Sequence, residues 1–258
     1  MRITVVTVCF NAAGTIVDTL RSVAEQDHVD VEHIIVDGGS SDGTPELVRQ
    51  HGQHVATFIS ERDRGIYDGM NKGLRLATGE IVAFLNADDV YAHRSVLSRV
   101  AQVMADPDLD ACYANLIYVD PNDVTRIVRI WSSRDFHPGL FRRGWMPAHP
   151  TLFVRKRVFD KLGEFDLQFR QQSDFDLTMR FFELGRIRST FVKECWVRMR
   201  AGGVSNSSAR SVWRGNLEAR RICQKNGLRV PPWFIFTKIA SRFSQYWPLL
   251  LPRGLRVR

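Results

Sequence analysis

Apolar residues along this chain fall in short runs broken by polar and glycine-rich stretches, and two periods alternate. Ile3 to Phe10 is a near-continuous, valine-rich run, the pattern of a strand buried on both faces. Asn11 to Gly14 breaks it, and Thr15 stands where it can cap a helix whose Ile16, Leu20 and Val23 share one face. Val31 to Val36 reads as a second strand and is closed by Asp37-Gly38-Gly39. Thr44-Pro45 opens another helix, with proline at its tolerated first turn. Val55 to Ser60 and Ile81 to Leu85 read as two more strands. Between them Tyr67 to Ala77 has helical spacing, with Met70, Leu74 and Ala77 facing one way.

Strands alternating with helices predict an α/β fold with a largely parallel central sheet and helices on both faces. The second half is less regular. Cys112 to Val119, Arg126 to Trp131, Leu152 to Arg155 and Arg188 to Met199 are strand-like, the last running into Ala201 to Ser205. Ser173 to Leu184 reads as a helix that buries Phe175, Met179 and Phe182. At about 100° per residue, Phe236, Ile239, Phe243, Tyr246 and Trp247 fall in one arc of a C-terminal helix. Lys238, Ser241, Arg242 and Gln245 fall opposite, and Pro248 is expected to end it.

A length of 258 residues supports one main domain, expected over 1–206, with a helical basic extension over 207–258. Charge sharpens that division. The net charge of +8 comes from the extension, where eleven Lys and Arg face one acid, Glu218, while the remainder is close to neutral. Such an extension suits anionic partners, among them a membrane surface. Docking on the chain's own core or on another subunit is the alternative. Four scattered cysteines show neither disulfide nor zinc spacing, which points to reduced thiols and a cytoplasmic location. No signal-peptide pattern and no apolar run of spanning length occurs.

In parallel α/β sheets ligands bind beyond the carboxyl ends of the strands. Three such ends carry chemistry. Asn86-Ala87-Asp88-Asp89 offers carboxylates to a hard cation shared with a diphosphate, or else a turn. Asp37-Gly38-Gly39 offers an acceptor and an accessible backbone, or else an ordinary glycine-rich turn. Cys9, Phe10 and Asn11 end the first strand. Arg64 to Gly73 opens a helix beside basic groups, which suits phosphate; the alternative is an Asp68–Lys72 pair. Asp174 and Asp176 begin a later helix, where a carboxylate can act as a base or simply cap. His149, between Pro147 and Pro150, has a structural reading as well as a functional one.

These segments, in this order, resemble the inverting glycosyltransferase family 2. The matching stretches are Cys9-Phe10-Asn11, Glu32 to Thr44, Asp63 to Gly73, and Ala77 to Glu80 leading into Asn86 to Asp89. The likeness is strongest to the bacterial branch that builds exopolysaccharides of the colanic-acid type. It implies a GT-A fold, with a Rossmann-like sheet, and an enzyme that moves a sugar from a nucleotide-sugar donor to an acceptor hydroxyl. It further implies that Cys9, Asn11, Asp37, Asp68, Lys72, Asn86 and Ala87 surround the donor nucleotide, with Asp37 at the nucleoside. Asp88 would bind Mn2+ or Mg2+, supported by Asp89, with Asn86 in the first position of the family's DxD motif. Asp174 matches the acid of the family's Glu-Asp pair and becomes the base; Ser173 replaces the Glu, which leaves Asp176 as the alternative. His149 is a supporting candidate.

The expected partners are a nucleotide sugar, with UDP-sugar foremost, a glycan or lipid-linked acceptor, and an anionic membrane met peripherally by the tail; nucleic acid is not expected. A nucleotidyltransferase would need an early glycine-rich phosphate loop bearing Lys or Arg, which is missing. A nucleic-acid-binding module would spread its basic residues over one face of the domain rather than concentrate them in the tail.

Overall fold

The computed structural model describes residues 1–202 and 209–243, with side chains in the last helix described as far as Ile239. Its first half follows the strand–helix alternation. β1 (Ile3–Cys9) and β2 (Val31–Asp37) pair in parallel, as do β2 with β3 (Val55–Ser60) and β1 with β4 (Ile81–Phe84). Every β1 residue is buried, as a strand covered on both faces requires. α1 (Ile16–Ala24), α2 (Thr44–His51) and α3 (Ile66–Leu76) connect these strands. Thr15 precedes α1 but makes no side-chain cap; its hydroxyl donates back to the Ala12 carbonyl instead.

α3 lies close to the sheet because it carries glycine where it crosses β1. A Cβ on Gly73 would collide with Val6 Cγ1, and one on Gly69 would stand 3.2 Å from Val8 Cγ1. That close approach fixes where the first turn of α3, with Tyr67 and Asp68, meets the strand ends.

The parallel order does not extend through the whole nine-stranded sheet, which runs β3-β2-β1-β4-β8-β6-β9-β5 with β7 on the outside of β6. β8 (Phe153–Arg155) is antiparallel to both β4 and β6 (Ala111–Asp120). β9 (Ser189–Arg200) is parallel to β6, and β5 (Val90–Tyr91) is antiparallel to β9. The sheet is therefore mixed. The cause is connectivity: β7 (Asp123–Trp131) returns from β6 as a hairpin, and an irregular stretch then leads into β8 without a crossover helix.

Three helices lie outside the elements expected from the sequence: α4 (Val96–Val103), α5 (Lys156–Leu162) and α7 (Ala209–Lys225). α6 (Ser173–Met179) continues as a π-helical turn, Arg180–Leu184, and buries Phe175, Met179 and Phe182 as the spacing predicts.

α8 (Phe234–Phe243) docks on the core, and it does so on the side its polarity argues against. Phe234 is fully buried and Ile235 packs against the same cluster, while Phe236 is 73% exposed. Lys238 is only 4% exposed: its Nζ donates to Gln172 Oε1 at 2.7 Å and stands 4.2 Å from the centre of the Phe175 ring. An apolar stem with an amide and an aromatic face at its tip makes that burial feasible. Gly144, at φ +79°, accommodates the helix, since a Cβ there would be 2.6 Å from Lys238 Cβ. Tyr246, Trp247 and Pro248, and the Gly203–Ser205 stretch, lie outside the described residues.

Candidate functional site

Strand register brings the predicted segments to one edge. Cys9 pairs with Asp37, Asp37 with Ser60, and Val6 with Phe84, so the carboxyl ends of β1 to β4 form a single rim. Ala87 packs in one apolar cluster with Cys9, Ile16, Leu20 and Ile35, which seats the Asn86–Asp89 loop against α1.

Asp37 is buried in this rim, and both its oxygens are engaged internally. Oδ2 accepts from the Gly39 and Ser40 backbone amides at 3.2 and 3.0 Å and from the Ser60 hydroxyl at 2.7 Å; Oδ1 accepts from the Ser40 hydroxyl. Burial pushes its pKa up, but the Ser40 and Ser60 hydrogen bonds outweigh that and hold it below the ordinary value. Cys9 Sγ points at the same carboxylate from 3.6 Å, and burial followed by the Asp37 charge drives the thiol far up, so it stays protonated.

Asn11 takes a left-handed φ of 49° and accepts the Ser41 amide on its side chain, while its own amide donates to Ser40 Oγ. Ala12 and Ala13 donate to Thr44 and Asp42. The two loops are thus zipped together. Beside them Phe10 stands 64% exposed, an aromatic face at the mouth of the rim.

Asp68 and Lys72 do not pair. Asp68, 6% exposed, accepts the Arg64 amide at 3.0 Å and Arg64 Nη2 at 3.2 Å. Lys72 reaches Glu61 at 2.7 Å and the Arg62 carbonyl at 3.1 Å. Arg64 stands at the right separation to take the role expected of Lys72, four residues away on the other side. One further carboxylate lies here that the sequence did not single out. Asp63 Oδ1 accepts the Gly65 amide, while its Oδ2 faces Gly38 and Gly69 with no described donor upon it.

The Asn86–Asp89 loop is the electrostatically strained part of the rim. Asp89 is fully buried, and neither carboxylate oxygen has a hydrogen-bond partner; Asn86 Oδ1 is likewise orphaned. Burial, then the neighbouring Asp88 charge, raise the Asp89 pKa well above the ordinary value. The Arg200 amide and charge and the Asn86 side chain offset part of this from outside hydrogen-bonding range. Asp88 is partly exposed and raised by burial too.

The loop is held by groups the sequence did not flag. Buried Arg200, ending β9, donates to the Asp88 carbonyl at 2.7 Å, to Asp18 of α1 at 2.6 Å and to the Pro121 carbonyl at 3.2 Å. Thr19 donates to the Asp89 carbonyl at 2.8 Å. Among the described residues no group of three His, Cys, Asp or Glu forms a protein-only cation cage. One or two carboxylates completed by a ligand's phosphates is the arrangement Mg2+ and Mn2+ accept, and orphaned buried oxygens beside Asp88 fit it.

Asp174 reaches this rim from the second half. The Tyr67 hydroxyl donates to Asp174 Oδ1 at 3.1 Å and lies 3.2 Å from the Gln171 carbonyl. Tyr67 stacks on Phe165, Phe165 meets Phe84 edge-on, and His149 stacks on Phe84 and meets Phe165 edge-on. Phe84 ends β4 immediately before the Leu85-Asn86 step, so aromatic packing links Asp174 to the acidic loop. His149 is 7% exposed; burial lowers its pKa, with the Asp174 charge working the other way. A neutral imidazole held between two rings matches the structural reading of that residue.

Asp176 is separated from Asp174 by its surroundings. It is fully buried, ion-paired with Arg180 Nε at 2.8 Å, and accepts from Nδ2 of Asn226, the residue after α7, at 2.8 Å. Ser173 donates to the Asp166 carbonyl. Asp174 is the carboxylate of the two that solvent reaches.

The sequence model described as Glycosyl transferase family 2 matches residues 4–163, more than half of the chain and the whole strand-end rim of β1 to β4. The chain belongs to glycosyl transferase family 2. Among curated relatives of this family 2 protein, the PGL/p-HBAD biosynthesis glycosyltransferase of Mycobacterium bovis is 31% identical over 176 residues. That match covers 67% of this chain and 66% of the relative, just under two thirds of its length. Glycosyltransferase AglE of Haloferax volcanii is 26% identical over 190 residues, 71% of this chain and 62% of that one.

Solved structures show the same fold. Mannosyltransferase PcManGT from Pyrobaculum calidifontis, in complex with GDP-Man and Mn2+, superposes with a TM-score of 0.67 at 23% identity, over 94% of this chain and 69% of its own. S. aureus TarS 1-349 in complex with UDP-GlcNAc gives 0.66 at 17% identity, over 98% and 77%. The family 2 chain thus has the GT-A architecture expected of it, with a mixed rather than mostly parallel sheet.

Proposed function

We propose that this family 2 protein transfers a sugar from a nucleotide-sugar donor to an acceptor hydroxyl, with inversion at the anomeric carbon, in the synthesis of a bacterial surface polysaccharide or glycolipid. One observation carries the reading: a solvent-reached carboxylate, Asp174, is tied through Tyr67 to the donor-side helix and through Phe165 and Phe84 to the acidic loop. The names of the relatives, which include PGL/p-HBAD biosynthesis, support the class of product.

The nucleotide lies along the rim of β1 to β4. With both oxygens engaged, Asp37 shapes the loop, and Asp63 Oδ2 is the spare acceptor for a ribose or base. Cys9, Asn11, Asp68 and Lys72 act through the loops they brace, and the Phe10 ring offers a stacking face. Asp88 would hold the divalent cation, with Asp89 and Asn86 supplying further oxygens in the same loop, and Arg200 fixes the loop that presents them. Bound there, Mn2+ or Mg2+ supplies the positive charge that offsets the diphosphate as it leaves.

Asp174 takes the proton of the acceptor hydroxyl while that oxygen bonds the anomeric carbon on the face opposite the nucleotide. The bond from that carbon to the diphosphate oxygen breaks, and its electron pair leaves with the nucleotide. A single displacement inverts the configuration. A positioned base contributes roughly 10²- to 10⁴-fold.

UDP-sugars are the foremost donors, and UDP-, GDP- and dTDP-sugars screened with Mn2+ by thermal shift identify the one used. With that donor, Asp174→Asn is expected to lose transfer and keep nucleotide binding. Transfer at the wild-type rate in this variant would overturn the assignment.

A further inference from the structure

We propose that the outward face of α7 is a docking surface for an anionic lipid bilayer, which rests on the reading of Asp174 as the base of a transferase whose acceptor is lipid-linked. At about 100° per residue, Arg210, Trp213, Arg214, Leu217, Arg220 and Arg221 share an arc of about 120°, and all six are exposed or half-buried. Trp213 is 53% and Leu217 37% exposed, about one turn apart within the stripe, with Arg220 on one side and Arg210, Arg214 and Arg221 on the other.

No acid among the described residues pairs with any of the four arginines of this stripe. The one acid of α7, Glu218, is turned inward, where it accepts the Arg170 and Gln171 amides at 3.0 and 2.8 Å. Ala219, Ile222 and Cys223 fill the core side. The helical hairpin as a whole carries three of the four exposed Phe and Trp side chains among the described residues: Trp213, Trp233 and Phe236, with Phe10 elsewhere. Arg220 and Arg229 also line an open concavity where α7 turns toward α8.

Arginines flanking exposed tryptophan and leucine match a charged headgroup layer over acyl chains: the rings and Leu217 enter the interface while the guanidinium groups meet phosphate. A second copy of the chain would set these arginines against their own kind. A nucleic acid would answer the charge and leave Leu217 without a role.

The inner side of the same helix explains why this place is useful. Glu218 holds Gln171, whose carbonyl meets the Tyr67 hydroxyl beside Asp174. A bilayer seated on α7 is therefore linked, through Glu218, Gln171 and Tyr67, to the segment that carries the base.

Flotation of the full chain with vesicles of phosphatidylcholine alone, or mixed with phosphatidylglycerol, tests the surface directly. The chain is expected to float with the anionic vesicles and remain behind with the neutral ones. Each arginine removed should lower partitioning about five-fold, so Arg210→Gln/Arg214→Gln/Arg221→Gln is expected to lose roughly a hundred-fold. Trp213→Ser/Leu217→Ser, a separate change at exposed positions, should also release the chain while its thermal shift with UDP-GlcNAc or GDP-mannose and Mn2+ stays as in the wild type. Flotation unchanged in both variants, or equal on both vesicle types, overturns the proposal. So does a wild-type chain that ignores vesicles and binds a single-stranded oligonucleotide through these arginines. Flotation by a chain that binds no nucleotide sugar would sink the transferase reading and leave the surface standing.

Discussion

The Tyr67 hydroxyl donates to Asp174 Oδ1, joining a residue of the first α/β half to one more than a hundred positions later. This contact makes one site of two halves. Tyr67→Phe keeps the ring stacked on Phe165 and removes only the donor. A hydrogen bond to a charged group contributes about 1.5–3 kcal/mol, so turnover is expected to fall about ten-fold or more with donor KM unchanged. Steady-state kinetics against each substrate, with the pH profile of kcat, reads this split.

Asp89 is a buried carboxyl group whose two oxygens find no hydrogen-bond partner in the fold. Because burial raises its folded-state pKa, its contribution favours the fold at low pH and turns unfavourable as pH rises through that pKa. Asp89→Asn is therefore expected to raise the melting temperature of the metal-free chain at neutral pH. The gain should shrink as pH falls toward the ordinary carboxylate value of about 4, while Mn2+-dependent nucleotide binding weakens at every pH. Asp88→Ala should abolish that metal dependence. Calorimetric scans with and without Mn2+ separate the two effects.

Asp37 and Asp63 divide stability from binding. Asp37→Ala orphans the Gly39, Ser40 and Ser60 donors and is expected to cost about 3 kcal/mol in denaturant unfolding. Asp63→Ala removes a carboxylate with one free oxygen and should weaken nucleotide binding with little loss of stability. Parallel titrations and unfolding curves of the two variants check the contrast.

The frame of the fold was open to reading from the sequence because strands such as Ile3–Cys9 are buried on both faces and announce themselves as unbroken apolar runs. The rim was readable for the same reason: Asp37 and Asn86–Asp89 come where those runs stop. What escaped was set by tertiary contact. Nothing local distinguishes Arg200 from Arg198, the other arginine of its strand; its role comes from Asp18 and the Asp88 carbonyl, far away in the chain. The pairing of Asp68 with Arg64 instead of Lys72 turned on Glu61 being within reach of the lysine. β8 carried no sign of its direction, because three residues of strand hold no information about which end the chain enters.

Acid should weaken the protein before its carboxylates titrate. His33 is buried in the sheet between Thr7 and His54, at 3.0 and 2.9 Å, and burial followed by the His54 charge lowers its pKa to about 3. The fold favours the neutral ring, so this contribution is intact above the ordinary value of about 6.5 and drains away as pH falls from there toward 3. The loss should run at roughly 1 kcal/mol per pH unit. His33→Val is expected to flatten stability between pH 6.5 and 4, measured by urea unfolding across that range.

Lys238 has a consequence for anyone shortening this protein. With Phe234 in the core and the Lys238 ammonium braced on Gln172 and Phe175, α8 is the underside of the helix whose first turn presents Asp174. A chain cut at Pro231 would lose that support together with whatever the tail does at a surface. Its inactivity would report a displaced carboxylate as readily as a missing anchor, and point changes on the outer face of α7 are the cleaner tool.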